Sequence, residues 1–323
     1  MHNHDIKHLD EIGRRQLLQG AGLSLGVAAL APLFSLSQAS AATTTKSTTL
    51  PGFSAFAKSV NIFRSGNYYM VESNGIPSHQ MMVGIKSWQQ QIPTPQPYSG
   101  TNAWPIPVTP VISKAPISNK GHFLRGAIAI AVNGIPIFNA LNNRGDDAYL
   151  AGELDDFGGH CGRADDYHYH VAPFHLQSIV GIKSPIAYAL DGFPIYGEKE
   201  IDGKKVSNLD QFNGHFDSKK KYHYHGTQGF PYINGGFKGV VKEIDGQVDP
   251  QSVTKAFRPA GAPLKGAIIT ACEQLGGDRF LMRYSVDGAI NSIEYSATLN
   301  QVDITFTDST GAIRNESYKR GGR

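Results

Sequence analysis

The chain has 323 residues, a net charge of +3 and 18% charged residues. Its one run of three basic residues is Lys219–Lys221, so it lacks the extended positive patch of nucleic-acid-binding proteins. The 36 glycines and 18 prolines, with no long segment of 3.6-residue apolar periodicity, exclude a helical bundle and favour short β-strands joined by turns.

Residues 1–41 resemble an export signal rather than part of the fold. Arg14–Arg15 is a twin-arginine pair, an uncharged stretch runs from Gly20 to Ala42, and Ala39–Ala41 is a small-residue cleavage site. Because glycine, serine and proline interrupt the apolar stretch, a stable membrane anchor is disfavoured. We expect twin-arginine export to the periplasm or out of the cell, and then a polar tether over 42–57.

The first strands are predicted from residue 58, because apolar and polar residues alternate from there to residue 90. Residues 91–110 are rich in proline. Proline lacks the N–H that the ladder of a sheet requires, so we expect this segment to run over the surface.

An apolar hairpin sequence occurs twice. Residues 127–139 read AIAIAVNGIPIFN, and residues 185–197 read PIAYALDGFPIYG. In each, Asn-Gly or Asp-Gly separates two apolar runs, which predicts a β-hairpin with a type I′ turn. The hairpins open two longer repeats, over 127–170 and 185–225, which we expect to be related by a pseudo-two-fold axis.

Each repeat ends in a histidine-rich strand. Residues 154–170 read LDDFGGHCGRADDYHYH and residues 209–225 read LDQFNGHFDSKKKYHYH, with 9 of 17 positions identical. Because side chains alternate along a strand, the histidines of each Tyr-His-Tyr-His point to one face and the tyrosines to the other. A third histidine stands earlier in each copy, after a glycine that lets the backbone bend toward the strand.

Three imidazoles in each repeat therefore converge in the pattern H-x7-H-x-H. Imidazole is the commonest protein ligand for transition metals, and a ligand set without thiolates suits copper or zinc. We expect the two clusters to lie close together, as a paired site or one shared site, and to lose metal as the pH falls through about 6. The candidate ligands are His160, His168, His170, His215, His223 and His225.

Asp155 and Asp210 stand five residues before the first histidine of each copy. A carboxylate there can accept a hydrogen bond from the outer N–H of a ligating imidazole and fix its tautomer. Alternatively, it stabilises the preceding turn. The histidines also have a metal-free interpretation, a ladder in which each imidazole hydrogen-bonds a neighbouring backbone.

The two cysteines are Cys161 and Cys272. An oxidising compartment favours a disulfide between them. Cys161 directly follows His160, so a thiolate ligand is an alternative, and two free thiols are another. Phe216 stands at the matching position of the second copy, so the repeated chemistry does not require cysteine.

The C-terminal region, 261–323, is predicted to be a β-meander packed on the same domain as residues 58–260. Its strands are expected within 279–308, separated by Asp-Gly and Ser-Thr-Gly turns. We predict a mainly β fold, sandwich-like or barrel-like, that contains the duplicated unit of hairpin and histidine-rich strand.

The repeated residues resemble a known family. Tyr-His-Tyr-His at 167–170 and 222–225, with LDDFGGH and LDQFNGH upstream, is similar to the bacterial YHYH-domain proteins. The second copy is fuller, because YHYHGTQGFPYINGGFKG continues over 222–239, whereas the first departs from the pattern after His170. The resemblance spans residues 105–240. It implies a family but no catalytic residue, because the family is named for its motif.

Three functions fit these observations. The first is an exported protein that binds copper or zinc, with the metal ion as its one predicted partner. The second is a metal-dependent hydrolase or oxidoreductase with an open three-histidine site and an aspartate as general base. The third is a metal-free carbohydrate-binding or adhesion module, in which exposed tyrosines and Trp88 or Trp104 stack on a ligand. No hydrolase or protease signature assigns a reaction class. The candidate bases are Asp155, Asp165, Asp166 and Asp210.

Overall fold

The computed structural model describes residues 50–321, and short strands joined by tight turns form most of this part of the chain. The only α-helix among these residues is α1 (Gln177–Val180), and the 3-10 turns are Phe53–Phe56, Gly100–Asn102 and Phe174–Leu176. The strands up to the second hairpin are β1 (Asn61–Ser65), β2 (Tyr68–Glu72), β3 (Trp104–Pro107), β4 (Ile112–Ser118), β5 (Ala127–Ala131), β6 (Pro136–Phe138), β7 (Gly159–Cys161), β8 (Tyr167–Tyr169), β9 (Ala187–Ala189) and β10 (Pro194–Tyr196).

Ten further strands complete the described chain. They are β11 (Gly214–Phe216), β12 (Tyr222–His225), β13 (Gly236–Gly239), β14 (Lys242–Ile244), β15 (Gln247–Asp249), β16 (Ala267–Gly276), β17 (Arg279–Val286), β18 (Ala289–Ala297), β19 (Gln301–Thr307) and β20 (Ile313–Lys319). They form open sheets, so the fold is mainly β as predicted, sandwich-like, and without a closed barrel in residues 50–321. None of the helices in this range is long and apolar enough to cross a membrane.

The predicted export signal, residues 1–41, lies outside the described residues, as does the tether up to residue 49. The last part of the predicted tether is folded and packs on the domain. Phe53 is buried, and its ring stacks on Tyr188 of the second hairpin with centroids 5.7 Å apart. Residues 53–56 therefore belong to the folded domain.

An eight-stranded sheet carries both repeats, in the order β11-β12-β10-β9-β5-β6-β8-β7. Read outward from the centre, equivalent strands of the two repeats occur in the same order on both sides. The hairpin strands lie inside and the histidine-rich strands outside. The central strands β5 and β9 pair antiparallel, with Ala129 opposite Ala189 and Ala131 opposite Ala187. Because these pairs exchange equivalent positions, a pseudo-two-fold axis passes between Ile130 and Tyr188, as the sequence repeat predicts.

The outer strands repeat the same register. On one side β6 runs parallel to β8, with Ile137 opposite Tyr169. On the other side β10 runs parallel to β12, with Ile195 opposite Tyr224. The internal duplication is therefore structural as well as sequential.

The hairpin turns differ from the type I′ turns that we expected. The amide of Gly134 donates to Ala131 O and the amide of Ala131 donates to Ile135 O, which closes a three-residue loop. Gly134 has φ +81° and Gly192 has φ +93°, whereas Asn133 and Asp191 do not have positive φ. One glycine in the left-handed region after a type I turn is sufficient for such a loop.

The proline-rich segment is partly buried, which contradicts its predicted surface course. Ile92 and Tyr98 are fully buried, and the amide of Ile92 donates to the Asp165 carboxylate over 3.0 Å. Its later prolines lie in β3, at the edge of the β1-β2-β3 sheet, where proline is tolerated, but Pro105 is itself buried.

The five consecutive strands β16 to β20 form the C-terminal meander. The meander packs on the rest of the domain through the Tyr284 ring, which lies 4.9 Å from that of Trp88, and through a hydrogen bond from Tyr295 Oη to Pro93 O. The proline-rich segment is buried because this meander covers it.

Candidate metal centres

Three imidazoles meet at one end of the first repeat, in a cluster that we call site 1 (His160, His168 and His170). His160 on β7 lies directly opposite His168 on β8, and His170 follows β8 on the same face. The Nε2 atom of His170 lies 3.0 Å from that of His160 and 3.2 Å from that of His168. The alternation of side chains along the strands therefore brings the three imidazoles together, as predicted.

The outer nitrogens of site 1 are fixed by backbone carbonyls. His168 Nδ1 lies 3.0 Å from Asp166 O, and His170 Nδ1 lies 2.5 Å from Asn139 O. A carbonyl only accepts, so each Nδ1 carries the proton and each Nε2 presents a lone pair to the centre. His160 is also hydrogen-bonded to the backbone, at Glu153.

The separations of the nitrogens suit a single bound ion. Two imidazole nitrogens at about 2.0–2.1 Å from one metal, at tetrahedral or right angles, lie roughly 2.9–3.4 Å apart. The two Nε2 separations in site 1, 3.0 Å and 3.2 Å, fall in this range. With three ligands, one tetrahedral position stays open.

The second repeat builds site 2 (His215, His223, His225 and Glu200). His215 Nε2 lies 3.0 Å from His223 Nε2, and His225 Nδ1 lies 2.7 Å from Gly197 O. The Glu200 carboxylate lies 3.2 Å from His215 Nε2 and 3.8 Å from His225 Nε2. His225 Nε2 is buried and has no hydrogen-bond partner among the described residues. One ligand atom from each residue lies within 4.8 Å of the others, so the geometry offers a four-ligand site.

Glu200 was missed in the sequence, although the repeat carries a signal for it. The hairpin alignment has an offset of 58 residues, and the isolated bridges Leu141–Asp147 and Lys199–Lys205 show that it continues past the hairpins. Extended by three residues, it matches Glu200 with Asn142. The two sites thus differ at one equivalent position. The expectation of one site shared between the copies was wrong, because each ligand group lies within one copy, and the strands that carry the two groups lie at opposite edges of the eight-stranded sheet.

Burial favours the neutral form of three ligand imidazoles, those of His160, His170 and His225. Desolvation, with the nearby His168, lowers the pKa of His170 from 6.5 to about 3. Desolvation likewise lowers the pKa of His225 to about 4 and that of His160 well below its usual value. Neutral imidazole is the form that binds metal, so these lowered pKa values favour metal over protons.

The tyrosines of the motif anchor the opposite face, and this is where the two predicted supporting aspartates lie. Tyr167 Oη donates to Asp155 over 2.8 Å, and Tyr222 Oη donates to Asp210 over 2.9 Å. Asp155 also accepts from the amide of Gly159. The prediction that these carboxylates orient the ligand imidazoles was wrong, because strand alternation separates them from the histidine face. They hold the turn before each first histidine instead.

The glycine before each first histidine makes this anchoring possible. A Cβ on Gly159 would lie 2.5 Å from Tyr167 Oη, and one on Gly214 would lie 2.1 Å from Tyr222 Oη. The tyrosine therefore reaches its aspartate only across a residue without a side chain.

The cysteines are free thiols and both are buried, so the predicted disulfide is not formed. Cys161 pairs with Tyr167 across β7 and β8, which places it on the tyrosine face, and it is not among the convergent ligand atoms of site 1. Burial raises its pKa well above the usual value and raises that of Cys272 to about 12. Free, protonated thiols are the alternative that the structure favours.

A cavity of about 220 Å³ opens at site 1. Of the four aspartates considered as general bases, none lines it. Asp165 is held by Arg258 at 2.8 Å, and Asp166 Oδ2 lies 3.6 Å from the outer nitrogen of His168. The carboxylate that lines the cavity is Glu153, which contacts Arg144 at 2.5 Å.

The aromatic platforms of the metal-free interpretation are buried. Trp88 and Trp104 are 2% and 1% exposed, and the four tyrosines of the two motifs are also buried. Stacking of a carbohydrate on these rings is therefore excluded in this conformation. Of the remaining histidines, His122 is exposed beside Glu243, whereas His79 donates to or accepts from Tyr169 Oη at 2.7 Å.

Residues 103–206 match a family model described as YHYH protein. The match confirms the resemblance over this part of the chain, which includes site 1 and Glu200 and ends before the second Tyr-His-Tyr-His. No curated protein and no solved structure matches the chain.

Proposed function

We propose that this YHYH-domain chain is an exported protein that binds two transition-metal ions, copper or zinc, one at site 1 and one at site 2. The observation that carries the proposal is the orientation of the imidazoles. Where backbone carbonyls accept from Nδ1, the proton is kept outside and the Nε2 lone pairs face one another. A cation bound between the imidazoles would accept these lone pairs and remove the repulsion between them.

The metal-free ladder explains the hydrogen bonding of only the outer nitrogen of each imidazole. Its backbone hydrogen bonds satisfy the outer nitrogens of His168, His170 and His225. It leaves the inner nitrogens of His168 and His170 facing each other at 3.2 Å with no proton between them, and that of His225 without a hydrogen-bond partner. A buried polar atom without a partner costs about 1–3 kcal/mol. The repetition of this arrangement in both copies supports a role for the imidazoles beyond packing.

Metal titration tests the proposal. Purified protein should bind two equivalents of Cu²⁺ or Zn²⁺, and elemental analysis of protein from its native compartment should identify which metal it carries. His168→Ala and His223→Ala should each remove one equivalent, and the double variant both. His122→Ala is the matched control, since the His122 imidazole is exposed and belongs to neither ligand group. Equal, weak binding by wild type and double variant would leave the histidines a structural role.

Export rests on the sequence of residues 1–41 alone. Twin-arginine transport carries folded proteins, which suits a chain that takes up its metal while folding. Replacement of Arg14 and Arg15 by lysine should retain the protein in the cytoplasm, whereas wild type should appear in the periplasm or the medium. Cell fractionation with antibody detection distinguishes the two outcomes, and equal export of the variant would contradict the assignment.

Metal-dependent hydrolysis or oxidation is a second candidate function, favoured by the cavity at site 1. An open coordination position beside a cavity is the arrangement of catalytic rather than structural metal sites. Metal-loaded protein should be screened against ester, phosphoester and amide substrates and for oxidase activity, with His168→Ala as the inactive control. Activity that survives in His168→Ala would not come from site 1.

A further inference from the structure

The two sites differ in what stands at the fourth position. In site 2 the Glu200 carboxylate lies against the Nε2 atoms of the three histidines. In site 1 the equivalent residue, Asn142, lines the cavity but forms its hydrogen bonds within its own loop and with Glu153. Its Oδ1 accepts from the amides of Arg144 and Asp146, and its Nδ2 donates to Glu153. The protein therefore supplies a carboxylate to one site and none to the other.

The cavity at site 1 has the charge that an external anion needs. Three arginines line it, Arg125, Arg144 and Arg163, against one carboxylate, Glu153. Arg144 is paired with Glu153, whereas Arg125 and Arg163 form no ion pair with any described residue. A metal ion in site 1 would add further positive charge.

The loop after the hairpin carries a different arrangement of charge in the second copy. At the positions equivalent to Arg144 and Asp146, the second copy has Asp202 and Lys204, which pair with each other at 2.7 Å. The sign of the charge at both positions is therefore reversed between the copies.

The walls of the cavity are partly apolar. Phe138 stacks on His168 with ring centroids 3.8 Å apart, and Leu124 and Leu141 line the same space. At about 220 Å³ the cavity is smaller than most ligand pockets, which measure roughly 300–1,000 Å³. It suits a small molecule with a short apolar body rather than an inorganic ion alone.

We infer that site 1 binds a small organic carboxylate, whose anionic group takes the place at the metal that Glu200 holds in site 2. The inference rests on the proposed metal binding. Arg125 and Arg163 attract the anion. Arg144 pairs with Glu153, so that this carboxylate does not repel the anion. The apolar wall contacts the rest of the bound molecule.

The test uses protein that retains only site 1, made with His215→Ala and His223→Ala and loaded with Cu²⁺. Visible absorption and electron paramagnetic resonance report exchange at an open coordination position. Acetate and butyrate should shift both spectra saturably, and neutral butyramide should not. The double replacement of Arg125 and Arg163 by glutamine should weaken the carboxylate response about tenfold. Lys204→Gln, in the equivalent loop of the second copy, is the matched control and should leave it unchanged.

A reciprocal swap keeps the test decisive if one variant misfolds. Asn142→Glu in the site 1 protein should suppress the carboxylate response, because the new side chain fills the position. Glu200→Asn in protein that retains only site 2 should create a response that the parent lacks.

The outcomes separate the two proposals. Failure of site 1 protein to bind Cu²⁺ would reject the proposed function itself. Binding of Cu²⁺ with no response to carboxylates, an equal response to butyramide, or a response to inorganic phosphate alone would overturn the inference and leave metal binding intact.

Discussion

Site 1 and site 2 share their strands, their imidazoles and their tyrosine anchors, and differ in the loop that follows each hairpin. In site 2 that loop brings Glu200 to the three histidines. In site 1 it brings Asn142, which holds the loop instead, and a cavity remains. The strands of the duplicated unit therefore position the imidazoles, and the loop decides whether the coordination sphere is closed or open.

The largest expected difference between the sites is the effect of removing the fourth ligand. Glu200→Gln should weaken metal binding at site 2 by more than about 100-fold, because it removes the anionic ligand. Asn142→Ala should change the affinity of site 1 only slightly, since the polar atoms of Asn142 are bonded to Glu153, Arg144 and Asp146 rather than to the imidazoles. Titration of single-site proteins with metal measures both effects. Similar losses of affinity at the two sites would contradict the predicted difference between them.

The second tyrosine of each Tyr-His-Tyr-His motif, Tyr169 or Tyr224, should be held with different strength in the two copies. Tyr224 Oη donates to the buried carboxylate of Asp191 over 2.6 Å, whereas Tyr169 Oη has only uncharged partners, His79 Nε2 at 2.7 Å and the Asn133 amide at 2.9 Å. Charge-assisted hydrogen bonds are about twice as strong as neutral ones. We expect Tyr224→Phe to cost about 3 kcal/mol of unfolding free energy and Tyr169→Phe about 1 kcal/mol.

Chemical denaturation of the metal-free protein checks this prediction at neutral pH. Burial raises the pKa of Asp191 to about 6, so its carboxylate is ionised there and depends on the tyrosine donor. Tyr68→Phe in the N-terminal sheet is a control outside the repeats. Equal costs for the two anchor variants would contradict the difference.

The smallest expected difference concerns pH. Protons and metal compete for the same nitrogen, so a lowered pKa moves the loss of metal to lower pH. Since the pKa of His170 is about 3 and that of His225 about 4, both sites should retain metal below pH 6, contrary to the expectation from ordinary imidazoles. Site 2 should release metal at the higher pH of the two.

Zinc affinities of the two single-site proteins, measured between about pH 4 and 7, test this order. Loss of metal from both sites near pH 6.5 would show that the imidazoles titrate normally and that burial has no influence on them.

Period-two alternation was sufficient to predict the histidine face and the tyrosine face, and the duplicated sequence was sufficient to predict the two-fold repeat. The partners of each face were not predictable in the same way. We predicted from its spacing that Asp155 accepts a hydrogen bond from a ligand histidine. Its carboxylate instead accepts from Tyr167 Oη. Glu200 lies fifteen residues before His215 in the sequence, and only the repeat alignment connects it to the site.

The proline-rich segment was misjudged because its covering lies far away in the sequence. Pro93 is covered by Tyr295 of the meander, and Ile92 is held by Asp165, which in turn is held by Arg258. Local composition describes the backbone preference of a segment but not the elements that pack on it. The same limit applies to the cysteines, where an even count predicted a disulfide that is not formed.

The most direct test of two metal sites built by one repeat is anomalous diffraction from crystals of metal-loaded protein at the absorption edge of the bound metal. The account predicts two peaks, one surrounded by the Nε2 atoms of His160, His168 and His170, and the other by those of His215, His223 and His225 with a Glu200 oxygen. A single peak shared by both copies, peaks at other residues, or no peak at either cluster would contradict it.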